Sequence, residues 1–270
     1  MKQLFLIFSF LLAFLSIKAG DFPFQTGEEL KFDIYYKYGL VMLKAGTADL
    51  KFVESSYNHK NTLLSTLDFK TTAFFDKIFR MRDTLRSHLM DNIHPLYHVR
   101  SIHEGNYHFT EEMFFNSFGT DYTEVRVKRQ SGEILRFDTI LTSNSKTYDM
   151  LSLILAICSL DYSLPKFGQT ETVSTFVEKE KKTVTVRYEG QSVVERSETL
   201  KYKTFKIALD FSDSAFNESK SAVEIWMSDD ENRIPIKIRA KLRIGAAEVY
   251  LSSWGKLKYP LSSEIKIPVK

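Results

Sequence analysis

Apolar and polar side chains alternate with a period of two along most of this 270-residue chain, and no other feature restricts the fold as much. Successive side chains of a strand point to opposite faces, so a strand with one dry face and one wet face reads this way. The clearest stretch lies near the C-terminus. There Ile234, Ile236, Ile238, Ala240, Leu242 and Ile244 share one face, and Lys237, Arg239, Lys241 and Arg243 share the other. This reads as one long strand. Just before it, Val223, Ile225 and Met227 alternate with Glu224 and Trp226, and the polar run 228–233 predicts a hairpin between the two. Opposed acids and bases on the outer face would help to set its register. The same rhythm runs through Leu30, Phe32, Ile34, Tyr36 and Tyr38, and resumes at Ala48, Leu50 and Phe52. It returns at Leu63, Leu67 and Phe69, at Val125 and Val127, and at Val184, Val186 and Tyr188. A mainly β, antiparallel protein is expected.

One segment breaks the rhythm. From Tyr148 to Leu160 the chain is apolar on every side, with Met150, Leu151, Leu153, Ile154, Leu155, Ala156, Ile157 and Cys158 in close succession. Thr147 can cap a helix here, Asp149 complements the dipole in its first turn, and Pro165 prevents continuation. A helix over 148–160 without a polar face must be buried all round, and it is too short to span a bilayer. The expected fold is therefore α+β: a strongly curved antiparallel sheet, or unclosed barrel, wrapped around one buried apolar helix.

The N-terminus reads as a leader. Lys2 provides a positive charge, Leu4 to Ile17 an apolar run, and Ala19 and Gly20 small residues near a cleavage point. The domain plan is a signal peptide over 1–20 and a single domain over 21–270, exported to the periplasm or cell envelope, with the only membrane-spanning segment in the cleaved leader. No cysteine follows the leader to carry a lipid. The one cysteine, Cys158, cannot form an intramolecular disulfide, so a mature chain of about 250 residues must rely on its core. With 37 basic and 34 acidic residues the net charge is +3, which gives no case for a nucleic-acid partner.

The search for reactive constellations assigns no catalytic, cofactor-binding or metal-binding residue, and no cofactor. A two-residue turn at Gly105 and Asn106 would oppose His103 and His108 across a ladder, with Ile102 facing Phe109 and Glu112 farther along as a third candidate ligand. Two imidazoles do not make a metal site, and ring neighbours at the surface are the expectation. The chain from Ser143 to Lys146 fits a serine-x-x-lysine pattern, but it lacks the companion motif of such enzymes and reads as a polar loop before the helix. Asp229, Asp230, Glu231 and Asn232 cluster oxygens that a hard cation could use, without the glycine and distal glutamate of a calcium loop, so a solvated turn is expected. The 22 Phe and 13 Tyr, clustered at Phe74, Phe75 and Phe79 and at Phe114, Phe115 and Phe118, either fill a core or line a cavity for an apolar ligand.

Four local sequences follow one another along the chain: Gly27-Glu28-Glu29-Leu30, Glu104-Gly105-Asn106-Tyr107, Tyr148-Asp149-Met150-Leu151-Ser152, and Ile225-Trp226-Met227-Ser228-Asp229-Asp230 leading to Arg233-Ile234-Pro235. Together they resemble domain-of-unknown-function family 3108. The resemblance implies an exported protein of a Gram-negative bacterium without an assigned activity. A bent sheet around a helix is also similar in architecture to the LolA and LolB lipoprotein carriers, whose unclosed barrel holds acyl chains. The expected function is non-enzymatic: binding or chaperoning an apolar ligand such as a lipid or a lipoprotein acyl chain. The alternatives are an interaction module contacting another envelope protein, and a hydrolase whose site carries no recognisable motif.

Overall fold

The computed structural model describes residues 22–118, 122–162, 166–177, 179–211 and 222–267. Residues 1–20, read from the sequence as a leader, and Pro165 lie outside the described residues.

Eight strands follow one another as antiparallel neighbours: β1 (Glu29–Tyr38), β2 (Val41–Tyr57), β3 (Lys60–Thr71), β4 (Arg82–Leu89), β5 (Pro95–Glu104), β6 (Tyr107–Phe118), β7 (Thr123–Ser131) and β8 (Ile134–Ser143). A single turn of helix, α1 (Ala73–Asp76), interrupts them between β3 and β4. A two-residue strand, β9 (Thr147–Tyr148), leads into helix α2 (Met150–Cys158). A second meander follows: β10 (Thr170–Val177), β11 (Glu180–Ser197), β12 (Leu200–Phe211), β13 (Val223–Ser228), β14 (Pro235–Lys241) and β15 (Ala246–Gly255). The last strand, β16 (Glu264–Lys266), pairs with β12.

All belong to one sheet. Its hydrogen-bonded path runs from β8 back to β1, crosses from β1 to β15, and descends through β10 to β9. The result is a nearly closed barrel with one unsealed seam, between β8 and β9. Side chains bridge that seam. Thr123, at the start of β7, donates to the carbonyl of Ser145 and accepts from the amide of Thr147. Phe176 of β10 packs with Met113, Phe115, Val125 and Val127 of β6 and β7, and the Lys179 ammonium lies over the Phe137 ring of β8.

The hairpin expectations hold in register. His103 faces His108 and Ile102 faces Phe109, with Gly105 at φ +56 supplying the left-handed turn residue. Glu224 lies opposite Arg239 and Trp226 opposite Lys237. The strand read over 234–244 is shorter than its pattern, because β14 ends at Lys241. The chain then turns through Leu242 to Gly245, where Leu242 N–H donates to the Gly245 carbonyl and Gly245 sits at φ +74. Alternation records which face a side chain takes, and that preference outlasts the ladder.

The helix begins later than its composition suggests. Thr147 and Tyr148 pair in parallel with Ser174 and Thr175. Asp149 is the N-cap, accepting from the amides of Leu151 and Ser152, while Ser152 Oγ accepts from the Asp149 amide in a reciprocal box. A carboxylate serves two amides where the Thr147 hydroxyl, already donated to the Ser145 carbonyl, serves none. Within α2, Leu151, Leu153, Leu155, Ala156, Ile157 and Cys158 are buried. They pack in one cluster with Leu30, Phe52, Leu89, Val184, Ile207, Met227 and Ile236 from both meanders. Each such leucine removed from water contributes roughly 1.5–3 kcal/mol.

Candidate functional site

Along β1, β2 and β14 the inward rows are dry at one end and wet at the other. Along β1, Leu30 and Phe32 are buried, Ile34 and Tyr36 half-buried, and Tyr38 is 60% exposed. Along β14 and its turn, Ile234 and Ile236 are buried and Ile244 is 64% exposed. Tyr36 lies opposite Leu43 and Tyr38 opposite Val41, and the Tyr36 hydroxyl reaches the Ile244 carbonyl at 3.2 Å. Exposed Tyr38, Leu40, Val41, Met42, Leu43, Leu242 and Ile244 thus gather at one mouth of the barrel. Across the same end, the inward rows of β5 to β7 are charged. Glu111 accepts from Arg100 and Arg129, each at 2.8 Å, and both guanidinium groups lie over the Phe109 ring. The end is exposed and apolar on one side and closed by a buried ionic cluster on the other.

Below it, a polar joint fastens α2 to the sheet. Ser87 of β4 donates to Asp149 at 2.9 Å, and His98 Nδ1 lies 2.8 Å from the Ser87 hydroxyl and 3.1 Å from Asp149. All three residues are without solvent contact, and His98 Nε2 has no hydrogen-bond partner. Burial pushes the Asp149 carboxyl up, but His98 and the hydrogen bonds from Ser152 outweigh it and hold the acid below its ordinary value. The three residue types are those of a hydrolase triad, yet the roles do not match. A triad places its serine and its acid on opposite imidazole nitrogens, so that one nitrogen can take the serine proton while the other is oriented. Here both lie at Nδ1. The arrangement positions a helix rather than activating a nucleophile.

The helix's far end is fastened too. Tyr162 donates to the Ile157 carbonyl and Arg233 to that of Leu160. Nearby Glu28 is fully buried; burial, offset in part by the backbone amide of Gln25, pushes its carboxyl up to about 7. Burial likewise pushes the Cys158 thiol up to about 12, so it stays protonated at neutral pH.

The candidates raised by the sequence resolve individually. The His103 and His108 rings stand 5.2 Å apart, while Glu112 accepts from the Tyr97 hydroxyl at 2.7 Å; no group of three metal-ligating side chains occurs among the described residues. Ser143 Oγ pairs with Ser145 Oγ, not with the exposed Lys146. The acidic turn is not simply solvated. Asp230 accepts from Ser228, Asn232 and the Ser263 amide, and buried Asn232 holds the backbone of Tyr259 and Pro260, so this turn clasps the C-terminal segment. The joint at Ser87 and His98 escaped sequence reading, since its members lie 62 and 51 positions from Asp149 and share no motif.

Among curated proteins none matches this chain. Of solved structures, a β-barrel-like DUF1849 protein from Brucella abortus is similar with a TM-score of 0.57 at 11% identity, covering 86% of this chain and 98% of that one. A protein with a YmcC-like fold from Bacteroides fragilis aligns with a TM-score of 0.37 at 10% identity, over 88% of this chain and 100% of its own. The first likeness concerns the fold alone. Residues 31–252, from β1 to β15, match the family "Protein of unknown function (DUF3108)", and with the cap, clasp and hairpin turn all built from the residues that resemble it, the chain belongs to that family.

Proposed function

We propose that this protein is a non-enzymatic component of the cell envelope, exported by its apolar leader, that engages lipid or lipoprotein acyl chains at the apolar mouth of its barrel. The observation that carries this reading is the run of inward rows past the packed core, leaving Tyr38, Val41, Leu43, Leu242 and Ile244 in water at one end. Contiguous exposed apolar surface is costly in a soluble chain and marks a contact surface. The sheet is wrapped around α2, whose leucines already occupy the interior beneath, so an acyl chain is received at the mouth rather than deep within.

Vesicle flotation of the mature chain tests this. The native protein is expected to float with phospholipid vesicles, and the double variant Leu40→Asp, Ile244→Asp to lose at least fivefold of that binding with an unchanged melting temperature. Equal flotation of the two, or none by the native chain, overturns the reading.

A second reading, an interaction module, is favoured by β8. Among the described residues this strand has one hydrogen-bonded neighbour and exposes Ile134, Leu135 and Ile140, so its face beside the seam suits contact with a partner protein. Crosslinking in cells from position 140 would recover one envelope protein on this reading and none on the first.

A further inference from the structure

On the outer face of β4 to β6, at the same end as the mouth, a cavity of about 540 Å³ is lined by Arg80, Arg82, Thr84, Ser101, His103 and His108. The ladder builds it. Thr84 lies opposite Ser101 and His103 opposite His108, so two rows of hydroxyl and imidazole groups stand side by side. Two arginines border them from the segment entering β4. Arg82 is fixed by paired hydrogen bonds to Asp76 at 3.0 and 2.5 Å, and the Arg80 carbonyl accepts from the Gly105 amide at 2.8 Å, anchoring that residue over the hairpin turn.

The remaining donors are unspent. The Arg80 guanidinium, which acts on the Asp76 carboxylate only electrostatically, the Ser101 hydroxyl and the rings of His103 and His108 form no hydrogen bond with the described residues. Of the nearby carboxylates, Asp76 is charge-paired with Arg82, Asp68 accepts from the Thr84 hydroxyl at 2.7 Å, and Asp83 accepts from the His103 amide on the opposite, inward face. We infer that this cavity binds a phosphate group. An anion with several acceptor oxygens is held by a cation and convergent N–H and O–H donors, and this donor set supplies a guanidinium, two imidazoles and a hydroxyl. The exposed Phe79 ring lies against Gly105 at the border of the cavity, offering an apolar surface to whatever the phosphate is attached to. That chemistry is shared by a phospholipid headgroup and by a soluble phosphate monoester. The inference goes beyond the acyl-chain reading and does not depend on it.

Titration calorimetry of the mature chain with glycerol 1-phosphate and with micelle-free dihexanoyl phosphatidate separates the sources. Saturable binding with a Kd below about 1 mM is expected for at least one of them. Arg80→Ala, and separately His103→Ala with His108→Ala, are expected to weaken it at least tenfold, with circular dichroism unchanged. Tighter binding of the phosphatidate assigns a lipid headgroup; equal binding assigns a soluble monoester; both support a phosphate site. The double variant Leu40→Asp, Ile244→Asp, which disables the mouth, leaves this binding intact. No saturable binding of either compound, or full retention by both sets of variants, overturns the inference.

Discussion

Glu28 and Asp149 are carboxylic acids without solvent contact, and their surroundings send them in opposite directions. Glu28 has only neutral backbone donors within hydrogen-bond reach and one oxygen without a partner, so burial dominates and raises its pKa to about 7. Its contribution to stability is therefore complete below its ordinary value of 4.5 and lost as pH rises through 7. Glu28→Gln removes this dependence, and by urea denaturation the variant is expected to be more stable than the native chain at pH 8 by roughly 1–3 kcal/mol, with little difference at pH 5. Asp149 titrates below its ordinary 3.8, so its contribution is present above that value and lost as pH falls through the depressed one. Asp149→Ala removes a cap and the partner of a buried imidazole together, at an expected cost of roughly 3–5 kcal/mol near pH 7. The helix and an acid at its start are legible in the sequence. That the acid is the cap, and that Ser87 and His98 complete it, is not, because those contacts depend on which strands curl over the helix.

At the scale of elements, the hairpins are the most legible part. The Gly105-Asn106 turn and the opposition of Glu224 to Arg239 follow from local spacing and period two. The end of β14 is less so, because Leu242 and Ile244 keep the inward pattern after the ladder has turned; the excess is what leaves the mouth apolar. The seam is illegible, since no local pattern places Phe176 beside Val125 and Val127. Phe176→Ala is expected to cost roughly 3–5 kcal/mol, and to raise amide exchange in β8 and β10 well above that in β1 and β15. Asn232→Ala releases the backbone of Tyr259 and Pro260, and limited proteolysis is expected to cut within 256–267 in the variant before it cuts the barrel.

At the scale of the whole molecule, the β class and an unclosed barrel were legible and the strand order was not, because the union of β1 with β15 joins segments more than 200 positions apart. That union reorders the usual relation between chain and sheet. The first and last long strands meet in mid-sheet, while the two edges, β8 and β9, are consecutive in the chain across residues 144–146. Each meander consists of nearest-neighbour pairings, so each can form with little loop-closure entropy, and the slow event is their zipping along β1 and β15. A circular permutant opened between Asn144 and Lys146, its old ends joined by a flexible linker, converts that longest-range pairing into one more hairpin. Its refolding in stopped-flow experiments should be faster than that of the native chain, and its new termini should lie at the seam, where the barrel is held by side chains instead of a ladder.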